Sequence, residues 1–117
     1  MLFNLKKPCN DCPFRRDSPQ GWLGKERAKD ISTTLVKGIG TFSCHKTTGA
    51  TNGEDVPQEK QSQCFGALQM LRNSNKLESG FIFQMATRLL GADFSGVKKS
   101  KEIFRNKTQF IKHHDWS

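Results

Sequence analysis

Apolar side chains recur at helical spacing in three stretches of the chain, and the first covers residues 25–36. Ala28, Ile31 and Leu35 fall on one side of this segment, because residues three and four apart share a helix face. Most of its charged residues fall on the other side, and Gly38 is placed to end the helix. The pattern predicts an amphipathic helix that packs by one face.

A second helix is predicted over residues 61–72, where Phe65, Leu68 and Leu71 share a face. Between the first two helices, residues 41–45 favour a short strand.

The third predicted helix covers residues 80–90. Ser79 is a good N-cap residue, and Gly91 is placed to end the helix. Five apolar residues are expected to point inward: Ile82, Phe83, Ala86, Leu89 and Leu90.

The remaining segments predict less regular structure. Prolines and glycines make residues 1–24 a loop, and residues 92–97 are expected to be extended. Apolar residues spaced over residues 103–111 predict one or two short helices. The expected fold class is α+β, a small and mostly helical single domain with one or two short strands.

Length and composition indicate that this domain needs a staple, meaning a metal or a disulfide that links distant segments. Its 117 residues suit one domain spanning residues 1–117. Only 34% of the residues are hydrophobic, and nine phenylalanines and two tryptophans supply much of the large apolar surface. Domains with so thin a core often depend on a metal or a disulfide.

The expected compartment favours the metal. The N-terminus lacks the apolar stretch of a signal peptide, and no segment approaches the roughly 18 apolar residues of a membrane span. We therefore expect a cytoplasmic protein without membrane contact. In a reducing cytosol, clustered cysteines bind metal or do redox work more often than they form structural disulfides.

Four cysteines are the strongest chemical signal in the sequence. Cys9 and Cys12 have the C-x2-C spacing at which two thiolates of one turn bind the same ion. Cys44 and Cys64 follow after 31 and 19 intervening residues and come from two other segments. We expect all four to bind one metal that staples these segments together. Buried core thiols and a redox C-x2-C pair are the alternatives.

The expected metal is zinc, with a [4Fe–4S] cluster as the alternative, since four sulfur ligands suit both. Zinc ribbons usually have two C-x2-C turns, whereas this chain has one, and the Cys12-Pro13 step is also found at cluster ligands. His45 is expected to hydrogen-bond a metal-bound sulfur rather than to bind the metal itself. Adjacent residues of a strand point to opposite faces, so Cys44 and His45 should not both be ligands.

The charge indicates an acidic partner. A net charge of +8, from 19 basic and 11 acidic residues, favours nucleic acid above all. Arg15, Arg16 and Lys46 are the candidate contact residues, together with Trp22, because arginines beside an aromatic ring can bind phosphates and stack on bases. In the alternative interpretation, the arginines pair with neighbouring aspartates and the basic surface is merely solvated.

Catalytic motifs are missing from the sequence. The C-x2-C pair lacks the H-x-E partner of a zinc deaminase, and there is no P-loop or GxGxxG. Cys44 beside His45 is weak evidence for a thiol nucleophile, because the four-cysteine set explains it better. His113 and His114 are interpreted as a polar end rather than a hydrolytic metal site. An enzyme is therefore the less favoured class.

Three short motifs occur together in the chain: Cys9-x-x-Cys12-Pro13-Phe14-Arg15, Cys44-His45-Lys46 and Cys64-x-Gly66. They resemble those of a family of small uncharacterised proteins from bacteriophages and bacteria, best over residues 8–68. The resemblance implies that the four cysteines and His45 belong to one site and that the chain is phage-encoded. It implies no activity.

Three functions are compatible with these observations. The first is a small basic metal-binding protein that engages nucleic acid or a host complex that handles nucleic acid. The second is a phage inhibitor that binds a host defence or transcription protein directly. The third is an iron–sulfur redox protein or enzyme. The sequence decides neither the oligomeric state nor the choice between DNA and RNA.

Overall fold

Four helices are formed by the residues that this computed structural model describes, which are residues 3, 5–8, 12–43 and 61–115. They are α1 (Lys25–Lys37), α2 (Phe65–Asn73), α3 (Phe81–Leu90) and α4 (Lys107–His114). Helix α1 packs against α4 and α2. The radius of gyration is 13.4 Å, which is close to the roughly 13 Å expected of a compact domain of this length. None of the described helices is long and apolar enough to cross a bilayer.

Of the strand predicted over residues 41–45, the described residues 41–43 form a single pairing. Ser43 pairs with Gln63 and Arg15 pairs with Ile103, both in antiparallel fashion and both as isolated bridges. Residues 92–97 form no strand. The described residues therefore form a mostly helical domain with almost no strand, and the α+β expectation is corrected accordingly. The extended segments are fixed by buried side chains and single hydrogen bonds rather than by a continuous ladder.

Helix α2 begins four residues later than the sequence predicts. The backbone N–H of Cys64 donates to the carbonyl of Phe42 at 2.8 Å. The N–H of Phe42 in turn donates to the side-chain carbonyl of Gln63 at 3.1 Å. These hydrogen bonds with residue 42 hold residues 61–64 in an extended conformation, so the helix starts only at Phe65.

Helix α3 buries a narrower face than its apolar pattern predicts. Phe83 and Ala86 are buried, whereas Leu89 and Leu90 are 72% and 69% exposed. The N-cap is Gly80 rather than Ser79. The predicted inward positions at the end of the helix were therefore wrong, because the periodicity of a helix marks an apolar face without supplying a partner to cover it.

The core is organised around phenylalanine rings from distant segments. Phe14 stacks on Phe110 with ring centroids 4.5 Å apart and an interplanar angle of 6°. Phe42 meets Phe14 edge-on at 5.5 Å, and Phe104 meets Phe110 at 5.9 Å. Phe104 and Phe110 are both buried, and the apolar tail, where one or two short helices are predicted, forms the short helix α4. This packing anchors the N-terminal loop to α4.

A close backbone contact joins the end of α1 to the start of α3. Gly38 ends α1 in the left-handed conformation with φ 69°, as predicted. A Cβ atom at Gly38 would collide with the Cα of Gly80 and lie 2.6 Å from the backbone nitrogen of Phe81. Gly91 ends α3 with nearly the same φ, 68°, but has nothing within 4 Å of the corresponding position.

These two glycines form a matched pair for a stability measurement. Alanine at either position adds left-handed strain of about 1–2 kcal/mol. Only Gly38→Ala must also separate two backbones, which we expect to add roughly 1–3 kcal/mol, the usual cost of overpacking. Urea denaturation should therefore give a clearly larger loss for Gly38→Ala than for Gly91→Ala. Equal losses would contradict the close contact.

Candidate metal centre

Two of the four predicted ligands meet in the core. The Sγ atoms of Cys12 and Cys64 lie 3.5 Å apart although the residues are 52 positions apart in the chain. Both thiols are buried. The separation is too long for a disulfide bond, about 2.05 Å. It is close to the roughly 3.7 Å between two sulfurs that bind one tetrahedral zinc at about 2.3 Å. The donor pair therefore fits a shared metal ion.

The surroundings of Cys12 favour the thiolate, which is the form of cysteine that binds metals. The hydrogen bond with the Cys64 thiol lowers the pKa of Cys12, and it outweighs burial, which raises it. Backbone hydrogen bonds of Phe14 and Arg15 and the positive charge of Arg15 lower the pKa further.

The two thiols are carried by different local structures. Cys12 opens a tight turn in which the N–H of Arg15 donates to the Cys12 carbonyl at 3.1 Å. Cys64 is the N-cap of α2, so its side chain sits at the positive end of the helix dipole, which favours an anion. A turn and a helix start thus present their sulfurs to the same point.

Gly66 gives the Cys12 sulfur its space. A Cβ atom on Gly66 would collide with the Sγ of Cys12 and lie 3.2 Å from the Cβ of Phe14. The spacing Cys64-x-Gly66 therefore places one ligand and the room for the other within the first turn of α2. Gly66 was assigned no role from the sequence, although the Cys64-x-Gly66 motif was the signal for it.

The tail histidines hold the loop that carries Cys12. His114 is fully buried, and its Nε2 hydrogen-bonds the carbonyl of Pro13 at 2.9 Å. The Nε2 of His113 lies 2.7 Å from the carbonyl of Ser18. The two side chains therefore belong to the packed structure, and their interpretation as a polar end is corrected for His114.

The hydrogen bonds of His114 identify its neutral form. The backbone N–H of Leu23 donates to Nδ1 at 3.3 Å, so Nδ1 is the acceptor and Nε2 carries the proton that is donated to Pro13. Burial lowers the pKa of His114, which is consistent with a neutral ring.

Four predicted site residues lie outside the described part of the chain: Cys9, Cys44, His45 and Lys46. Within the described residues, no group of three or more histidine, cysteine, aspartate or glutamate side chains is arranged to hold a metal. The structure therefore brings Cys12 and Cys64 together, and the four-cysteine site stays a prediction.

The predicted contact residues differ in their surroundings. Arg15 forms a bidentate pair with Asp17, with N–O distances of 2.9 and 3.0 Å, as in the alternative interpretation of the sequence. Arg16 is exposed, and its Nε donates to the carbonyl of Ile103 at 3.2 Å. Trp22 is 43% exposed. Of the two arginines, Arg16 is thus the better placed to meet a partner.

Comparison with known proteins gives one match. The model of a family of unknown function, DUF6283, matches residues 4–116. Neither the curated proteins nor the solved structures contain a match to the chain.

Replacing Gly66 tests the metal centre without removing a thiol. Gly66→Ala should displace the Cys12 sulfur and weaken metal binding about 10-fold or more, the scale seen when the support of a ligand is disturbed. Gly96→Ala is the matched control, because nothing lies within 4 Å of its added methyl group. Competition with a chelator measures the affinity. Equal affinities of the two variants would argue against Cys12 as a ligand.

The neutral state of His114 predicts a pH dependence of stability. Its pKa is lowered in the folded protein, so below the usual value of about 6.5 the unfolded chain binds the proton first. The stabilisation by His114 is then complete above that value and is lost as pH falls toward the lowered pKa. The difference in unfolding free energy between wild type and His114→Gln should therefore shrink from pH 7.5 to pH 5. A constant difference would contradict the assignment.

Proposed function

The chain belongs to the family of unknown function DUF6283, and we propose that it is a small metal-binding protein that engages nucleic acid or a complex that handles it. In this proposal Cys9, Cys12, Cys44 and Cys64 bind one metal ion. The ion staples the N-terminal loop to α2 and thereby stabilises a basic domain. The chain is proposed to be phage-encoded and to act in the host cytoplasm.

The single observation that carries the metal proposal is the buried thiol pair. Cys12 and Cys64 are 3.5 Å apart, and the pKa of Cys12 is lowered. Both sulfurs could be thiolates at this distance only with a cation between them, because two buried negative charges repel each other. A metal ion supplies that cation, and each thiolate gains a bond in place of its lost hydration.

The remaining two ligands are within reach along the chain. Cys9 precedes Cys12 by three residues, and Cys44 follows directly after Ser43. Ser43 pairs with Gln63, the residue before Cys64. Because consecutive Cα atoms are about 3.8 Å apart, Cys9 and Cys44 are each separated from the thiol pair by only a short length of chain. This supports a site with four sulfur ligands.

The sulfur separation also bears on the choice of metal. Two ligands of one ion lie close together, whereas each cysteine of a [4Fe–4S] cluster binds a different iron atom and the sulfurs lie further apart. A distance of 3.5 Å therefore favours zinc. Zinc has no redox chemistry and would act structurally in a closed four-sulfur site, so an enzyme or redox role is the less favoured alternative.

The nucleic-acid part of the proposal rests on charge. The chain carries a net charge of +8, and exposed lysines and arginines occur on α1 and along residues 98–105. A basic surface of this kind attracts the phosphate backbone irrespective of sequence.

Direct binding of a host protein is a second candidate function. Helix α3 exposes Phe81, Leu89 and Leu90 to solvent, and large exposed apolar side chains are typical of protein interfaces. An inhibitor that binds a host defence or transcription protein would use such side chains. This candidate gains support if the purified protein binds no oligonucleotide at low salt.

Metal analysis of protein purified without air tests the principal proposal. We expect about one zinc per chain and no visible absorbance, as for a closed zinc site. Cys64→Ser should lose the metal and most of the stability. Met70→Leu is the matched control, because it removes another buried sulfur of α2 and nearly conserves volume. It should keep the metal.

Two other results would change the proposal. About four irons per chain with a visible absorption band would replace zinc by a [4Fe–4S] cluster. Neither metal in freshly reduced protein would overturn the metal site altogether.

A further inference from the structure

A basic cleft lies on the surface between the N-terminal loop and the segment that precedes α4. Its volume is about 380 Å³. The residues that line it are Arg16, Asn73, Lys99, Ser100, Lys101 and Arg105. We refer to this surface as the basic cleft.

The lining of the basic cleft is positive and polar. Four of its residues are cations and the other two are an amide and a hydroxyl, so none of the described residues that line it is a carboxylate. Glu102 belongs to the same segment but is not part of the lining, and its charge acts on Arg15. A cleft lined by positive charge alone concentrates the electric field that attracts anions.

Asn73 fixes the backbone that carries the two lysines. Its Nδ2 donates to the carbonyls of Ser100 at 2.9 Å and of Phe104 at 3.1 Å. Its Oδ1 accepts from the N–H of Ser100 at 2.8 Å. Lys99 and Lys101 flank the residue that is held, so their backbone positions are set before any ligand arrives. Such pre-organisation lowers the entropy lost on binding.

Arg16 belongs to the N-terminal loop and is held in place by the segment that precedes α4. Its backbone N–H donates to the carbonyl of Glu102 at 2.8 Å, and its Nε donates to the carbonyl of Ile103 at 3.2 Å. The second bond uses one of the five N–H donors of a guanidinium group. Arginine held in this way is suited to bidentate contact with phosphate.

We propose that the basic cleft binds consecutive phosphates of a nucleic-acid strand. This inference rests on the proposed nucleic-acid function and assigns it to a surface. No apolar or aromatic side chain lines the cleft among the described residues, whereas the centre of a protein interface is enriched in aromatic residues. For the same reason, the contact reads the backbone rather than the bases, and binding is independent of sequence.

Two double variants with the same change of charge test the assignment. Lys99→Gln with Lys101→Gln removes two cations from the basic cleft. Lys25→Gln with Lys29→Gln removes two exposed cations from α1 and is the control. All four lysines are exposed, so both proteins should fold, as thermal melting will verify. Fluorescence anisotropy with labelled single-stranded oligonucleotides of different sequence measures affinity across a range of salt concentrations.

The cleft variant should bind roughly 20-fold more weakly at about 0.1 M salt, and its salt slope should be smaller by roughly 1.4, since each phosphate contact to a single strand contributes about 0.7. The control should change affinity by less than about 2-fold, because charges outside the contact act only through a screened field. Equal affinity for the different oligonucleotide sequences would support contact with the backbone.

Three outcomes would overturn the inference in distinguishable ways. Equal losses in both double variants would remove the basic cleft as the binding surface and leave the nucleic-acid function standing. Absence of binding by the wild type at low salt would remove that function and the inference with it. Competition by polyglutamate as strong as by an oligonucleotide of equal charge would replace phosphate by an acidic protein surface.

Discussion

A buried contact between two sulfur atoms joins the turn that begins at Cys12 to the start of α2. Cys12 and Cys64 can approach to 3.5 Å only because Gly66 has no side chain at that point. A buried thiolate is costly unless a cation or a strong hydrogen bond compensates for its lost hydration. The two sulfurs share a hydrogen bond in this structure, and their geometry restricts where a compensating cation could lie.

The turn that contains Cys12 connects this contact to the rest of the domain. Cys12 faces the sulfur pair, Phe14 enters the aromatic core by stacking on Phe110, and Arg16 lines the basic cleft. His114 holds the same turn through the carbonyl of Pro13. Five consecutive residues thus join the candidate metal centre, the core and the candidate binding surface.

The thin core explains why a staple is expected here. Helix α1 packs on α4 and α2, but α3 buries only Phe83 and Ala86 fully. Contacts such as the approach of Gly38 to Gly80 join elements without burying large side chains. Because the net stability of a domain of this size is a small difference between large terms, a bond between distant segments would contribute a large share of it.

Local pattern decided the features that depend on neighbouring residues. The span and C-terminal glycine of α1 followed from helical periodicity and from the tolerance of glycine for positive φ, and Gly91 followed in the same way. The grouping of Cys12 with Cys64 was also predictable, because cysteine is rare and its chemistry restricts its partners. Each of these predictions depends only on residues a few positions apart or on the chemistry of one residue type.

Tertiary structure decided what depends on distant segments. Helix α2 starts at Phe65 because Phe42 competes for the backbone of Cys64, and no local pattern records that competition. The exposed end of α3 and the burial of His114 likewise depend on which surfaces meet. The basic cleft assembles Arg16 with residues 99–105, which are more than 80 positions away. Periodicity identifies an apolar face and residue type identifies a charge, but only the packed chain determines what lies opposite them.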